Sequence, residues 1–161
     1  FLYARGDTVD LQLGTDPAAD QKRGEPVKGD LRLSIGNFRG QPTVVVYRKV
    51  ADEKKPQTFS SGVVKEYVMD SVAVLAEAKV SVKVEGKRYV VEAAIPLASL
   101  GLKVTDGLAL RGDFGVTHGD KSGTDTMLRT HWNNQTTGIV NDEVFELRME
   151  PKNWGELEFR D

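Results

Sequence analysis

Arg129, His131, Trp132, Asn133, Asn134 and Gln135 stand almost consecutively near the end of the chain. A flat indole beside a guanidinium and several amides suits a sugar: the ring stacks on the apolar C–H face while polar groups meet the hydroxyl rim. If this stretch ends a strand, Arg129 and His131 share one face, and Trp132 shares the other with Thr130. A plainer reading puts Trp132 between two sheets and Asn133-Asn134 in a turn. Asp113, Asp120 and Asp125, interleaved with Gly115, Gly119 and Gly123, form an acidic stretch able to offer oxygen ligands to calcium. Its spacing is not that of an EF-hand, and a solvated turn is the competing reading.

Other chemistry is thin. His118 and His131 flank the same acidic loop and could share a metal, although lone histidines are mostly ordinary surface or strand residues. Glu92, in an apolar stretch, needs a partner such as Arg111 or a neighbouring hydroxyl. Trp154, heading a terminal strand with Leu157 and Phe159, reads as packing. There is no cysteine nucleophile, no Gly-x-Ser-x-Gly elbow, no phosphate-cradling glycine loop and no His-Glu-x-x-His helix. The expectation is a protein that is not an enzyme.

The elements that must position these groups read as strands. Val9, Leu11 and Leu13 alternate with Thr8, Asp10 and Gln12, which predicts a half-buried strand. Residues 14–29 are polar, with Pro17 and Pro26, and predict a long surface loop. Leu31, Leu33 and Ile35 resume the alternation and run through a generous turn into Thr43–Val50. Residues 51–62 read as loop and Val63–Met69 as strand, while Ser71–Ala78 suits helix or strand equally. Val80, Val82 and Val84 lead through Glu85-Gly86-Lys87 into Arg88–Ile95, a tight hairpin. Arg88–Ala94 carries apolar residues on both faces and predicts a central strand; Pro96 ends it, and Leu97–Leu100 makes one helical turn closed by Gly101. Strands are expected at Leu108–Val116, Met127–Trp132, Val144–Met149 and Trp154–Phe159.

The chain has 161 residues, no cysteine and a net charge of −2. That length predicts one module spanning 1–161, and the balanced charge argues against a nucleic-acid or anionic-membrane surface. Disulfides and thiolate metal sites are excluded, and no apolar run approaches the roughly 20 residues of a membrane span. Phe1–Gly6 lacks the basic start and apolar core of a signal peptide. With no initial methionine, the chain reads as a piece of a larger multidomain protein.

Gly6-Asp7-Thr8-Val9-Asp10-Leu11, Tyr89-Val90-Val91-Glu92-Ala93-Ala94-Ile95-Pro96, Arg129-Thr130-His131-Trp132 and Trp154-Gly155-Glu156-Leu157 occur in this order. The ordered set resembles family 9 carbohydrate-binding modules and, more broadly, DOMON-like sandwiches, which bind sugars or haem. Members of that family carry several strands ahead of the Gly-Asp phrase, so this chain looks entered within a domain. The resemblance implies two aromatic rings clamping a terminal sugar while a carboxylate, an arginine and amides hold its hydroxyls. Trp132 matches the later ring, and Tyr3 stands near the earlier one, where tryptophan is usual. Asp10 matches the acidic sugar ligand, with Arg32 and Asn133 as further carry-overs. Structural calcium is also implied, which Asp113, Asp120 and Asp125 could hold. Haem would need Met69, Met127 or Met149 with His131.

The resulting expectation is an all-β fold, an antiparallel β-sandwich of jelly-roll or immunoglobulin-like kind with one short helical turn after the central strand. Its function would be non-catalytic binding of oligosaccharide or polysaccharide ends in an extracytoplasmic accessory module. Tyr3, Asp10, Arg32, Arg129, Trp132 and Asn133 would make the contacts. The rival is a sandwich that serves structure or protein interaction among the other domains of the parent protein.

Overall fold

The computed structural model describes residues 6–86, 88–135 and 143–160. Its fold is all-β and antiparallel, a sandwich built on one large sheet. The strands of that sheet are β1 (Thr8–Gly14), β2 (Asp30–Phe38), β3 (Gln41–Arg48), β6 (Ser71–Val74), β9 (Ala109–Gly119), β10 (Thr126–His131) and β11 (Gly155–Glu158). They run in the order β10-β9-β1-β2-β3-β6, and β11 shares the outer edge of β9 with β10. Two hairpins lie outside this sheet: β4 (Gln57–Phe59) with β5 (Tyr67–Met69), and β7 (Lys79–Glu85) with β8 (Arg88–Ala94).

The two faces of the large sheet differ chemically because strand side chains alternate. One face carries Leu13, Leu31, Leu33, Ile35, Val44, Val46 and Leu110, and the β7–β8 hairpin packs on it through Val80 and Val91. The other meets a second core of Tyr47, Phe59, Tyr67, Met69, Val144, Leu147, Met149 and Trp154. That cover comes from β4–β5, the short helix α2 (Glu143–Leu147) and the 3-10 turn Pro151–Asn153.

Two strand roles differ from expectation. β1 is the covered central strand, paired with β2 on one side and β9 on the other, and its Thr8, Asp10 and Gln12 are buried. Arg88–Ala94 is not central: among the described residues β8 pairs only with β7, and Glu92 is solvent-exposed, 3.9 Å from Lys83. Apolar residues on both faces thus mark a strand that is half covered. The β2–β3 turn is tight, with Phe38 opposite Gln41, because Arg39 and Gly40 both take positive φ, 52° and 79°.

Other elements follow their local signals. Ser71–Val74 resolves as strand against β3. Leu97–Leu100 (α1) makes its turn after Pro96 and stops at Gly101, whose φ of 72° suits a residue without Cβ. Within Val63–Met69 only Tyr67–Met69 is strand, and Gln57–Phe59 pairs with it inside the expected loop. Glu143–Leu147 is helix where strand was expected.

Candidate functional site

The buried side of β1 organises a polar array. Tyr47, Arg32, Gln12 and Asp113 stand opposite one another across β3, β2, β1 and β9; Ser34, Asp10, Gly115 and His131 form the next row. Asp10 is 1% and Arg32 0% exposed. The Asp10 carboxylate accepts from the Arg32 guanidinium and, at 2.6 Å, from Ser34 Oγ. Arg32 and Arg129 both donate to the carbonyl of Glu146 in α2, Arg129 at 3.3 Å. Burial opposes the charge on Arg32, but the Asp10 charge and hydrogen bond outweigh it and raise the guanidinium above its ordinary range. Arg129 is lowered, first by burial and then by the nearby positive charge of Arg32.

Asp113 is likewise internal. It accepts from Asn133 N–H at 2.8 Å and lies 2.8 Å from His131 Nδ1. The His131 ring sits on Gly115, where a Cβ would come within 2.8 Å of Cε1, so glycine is what admits the imidazole. Asp120 is turned into its own loop, accepting from Ser122 Oγ, from Thr124 N–H at 2.8 Å and from Asp125 N–H at 3.2 Å. These bonds, the Ser122 one first, hold its carboxyl well below the usual range. Among the described residues no group of three or more His, Asp or Glu is placed to hold a metal ion. Asp113, Asp120 and Asp125 therefore do not converge: one carboxylate faces the covered side of β9 and another is spent on a turn.

Trp132 is exposed, at 51%. It lies on the apolar side of the sheet, where β10 ends and β11 begins along β9, and its N–H donates to Phe114 O at 2.7 Å. The six-membered ring rests on Gly155; any Cβ there would collide with Cζ3 and Cη2. Phe114 meets it edge to face, with centroids 6.3 Å apart at 61°. Asn133, the next residue, is exposed and donates to Asn153 O at 2.7 Å.

The structure therefore brings Asp10, Arg32 and Arg129 together beneath α2, while Trp132 and Asn133 stand at the surface. Tyr3 lies outside the described residues. Asp10 and Arg32 satisfy each other inside the fold instead of facing solvent. Sequence reasoning missed Gly155 as the seat of Trp132 and Phe114 as its neighbour; the bare glycine after Trp154 was the available signal. Trp154 is packing, fully buried, with Nε1 donating to Gln12 Oε1 at 3.0 Å. Comparison with family models, with curated proteins and with solved structures gives no match.

Proposed function

We propose that the chain is a non-catalytic carbohydrate-binding module in which one sugar ring stacks on Trp132. The observation that carries this reading is an indole half open to solvent yet fixed in place, seated on Gly155 and braced by Phe114. A ring held this way loses little freedom on binding, so its apolar face is available to the C–H face of a pyranose. Asn133 beside it offers an amide oxygen to a hydroxyl, since its Nδ2 is engaged by Asn153. Asp10, Arg32 and Arg129 serve this site from inside, tying β1, β2 and β10 to α2. One stacked ring contributes on the order of 1 kcal/mol beyond its area, so affinity is weak, roughly micromolar to millimolar. Such weak binding suits an extracytoplasmic module tethered within a larger protein, where attachment raises the effective concentration.

The test is a fluorescence titration of the native chain and of Trp132→Ala with a panel of mono- and oligosaccharides, each variant checked for folding by circular dichroism. A saturable change present in the native chain and lost in a folded Trp132→Ala supports the reading. No response across the panel sinks it.

A protein-interaction role is the second reading, favoured by Phe114, exposed against Trp132, and by Met127 and Leu128, exposed earlier along β10. Contiguous exposed apolar side chains commonly mark contact surfaces. Haem ligation draws no support from Met69 and Met149, which fill the core, or from His131 Nδ1, which is engaged by Asp113.

A further inference from the structure

We infer that the edge of β8 left unpaired among the described residues is a docking site for one extended strand of another polypeptide chain, which pairs with β8 and lies over β1. β7 lies over β3 and β8 over β2, so the hairpin covers only part of the large sheet. Strands within a sheet are spaced about 4.8 Å apart, and β1 is the neighbour of β2; a strand added to β8 therefore lands above β1.

What waits beneath that position is apolar. Val9 and Leu11 of β1 are only partly buried on this face. Exposure grows with distance from the hairpin, to 48% at Phe114 on β9 and 53% at Leu128 on β10. A cleft of about 380 Å³ already separates the layers, with Val82, Val84, Tyr89 and Val91 on the hairpin side and Asp7 and Asn37 on the sheet side. The Tyr89 hydroxyl is buried there with no hydrogen-bond partner among the described residues. A main-chain carbonyl of an added strand would supply one.

The two edges of the hairpin are not equivalent. Natural edge strands are guarded by lysine, proline or bulges. β7 carries Lys79 and Lys83, whereas β8 is Arg-Tyr-Val-Val-Glu-Ala-Ala, regular in register and free of lysine and proline. A small molecule could meet Tyr89 but would leave both the strand edge and the apolar side of β1 uncovered; an extended segment meets all three. Its alternate residues must be apolar to face Val9 and Leu11. On the outer side Arg88 and Glu92 flank the exposed Val90, each with a partner in the hairpin, Glu85 at 3.3 Å and Lys83 at 3.9 Å; an acidic residue opposite Arg88 and a basic one opposite Glu92 would extend these exposed pairs across to the added strand.

The experiment is nuclear magnetic resonance with amide hydrogen exchange on the 161-residue chain, with and without an acetylated and amidated Thr-Lys-Val-Thr-Val-Glu-Thr peptide. Two controls are the same peptide N-methylated at alternate residues, in either frame. Docking predicts that alternate β8 amides exchange about tenfold more slowly with the unmodified peptide, and that one N-methylated frame abolishes the effect. Three results overturn the proposal: slow exchange along β8 before any peptide is added, which means that the edge is filled from within the chain; no slowing at millimolar peptide; or equal action of both N-methylated forms, which means apolar adhesion only. None of these readouts involves sugar, so failure here is separate from failure of the Trp132 reading.

Discussion

The guanidinium of Arg23 lies 5.5 Å over the ring of Trp154 while its Nε and Nη2 donate to the two oxygens of Asp30, at 2.8 and 2.6 Å. One buried cation thus fastens the long 15–29 loop to both β2 and the core. Local turns support it: Asp16 accepts from Ala18 N–H and Asp20 from Lys22 N–H, each at 2.9 Å.

Removing that cation should release the loop. Arg23→Met leaves the Asp30 carboxylate buried without its ion pair, a change that costs roughly 3–5 kcal/mol. Trypsin should then cut at Lys22 and Lys28 in a variant that still folds, and Arg23→Lys should rescue poorly, because an ammonium cannot span both oxygens. Limited proteolysis that is indistinguishable from the native chain would argue that other contacts hold the loop.

Asp10 and Arg32 make the second buried pair. Asp10→Ala removes the acceptor of both Arg32 and Ser34 and should destabilise by roughly 3–5 kcal/mol, read as a lower urea midpoint. If sugar contacted Asp10 directly, Asp10→Asn would abolish binding in a chain of native stability. The internal position predicts instead that stability falls first and binding falls only with it.

Gly155 should behave as part of the Trp132 site. A methyl group at this position collides with the indole, and such overpacking costs about 1–3 kcal/mol when neighbours must shift. Gly155→Ala is expected to alter the near-ultraviolet circular dichroism and the emission of Trp132 while leaving Trp154 buried. Unchanged spectra would mean that the indole is not seated on the glycine.

Alkali should unfold the protein through its buried tyrosines. Burial, aided by Glu25, pushes the Tyr67 hydroxyl up to about 12, and burial raises Tyr47 further still. Unfolded tyrosines lose protons near about 10, so between the two values the unfolded chain binds fewer protons and stability declines as pH rises. The stabilisation is complete below about 10 and gone above the folded values. Tyrosinate absorbance should therefore rise together with loss of structure. Tyr67→Phe should blunt that alkaline loss, and because the Tyr67 hydroxyl is buried without a hydrogen-bond partner among the described residues it should cost little at neutral pH. Ionisation of every tyrosine at the ordinary pH in a folded chain would contradict this.

Alternation was the readable part of the fold. It located β1, the β2–β3 and β7–β8 hairpins, β9, β10 and β11, and Pro96 with Gly101 bracketed α1, because strand period and backbone restriction are local properties. It did not rank the strands. Asp10 and Gln12 look outward by polarity, yet they are buried because β2 brings Arg32 and Ser34 to Asp10 and the chain after the Pro151–Asn153 turn brings the Trp154 indole to Gln12. The apolar stretch Arg88–Ala94 looks central, yet it sits in a two-stranded layer.

For the candidate site, sequence alone determined the ingredients: an indole followed by amides, a carboxylate on an early strand, an arginine on the next, and acidic residues in a glycine-rich loop. Their order along the chain limits what chemistry they can supply. Which of them meets solvent was decided by the tertiary structure alone. Asp10, Arg32 and Asp113 come from segments far apart in the chain, and pairing them required strands β1, β2 and β9 to lie side by side. The same assembly placed Trp132 on the opposite side of the sheet, over a glycine 23 positions later. Long-range register fixes such relations, and no local pattern encodes it.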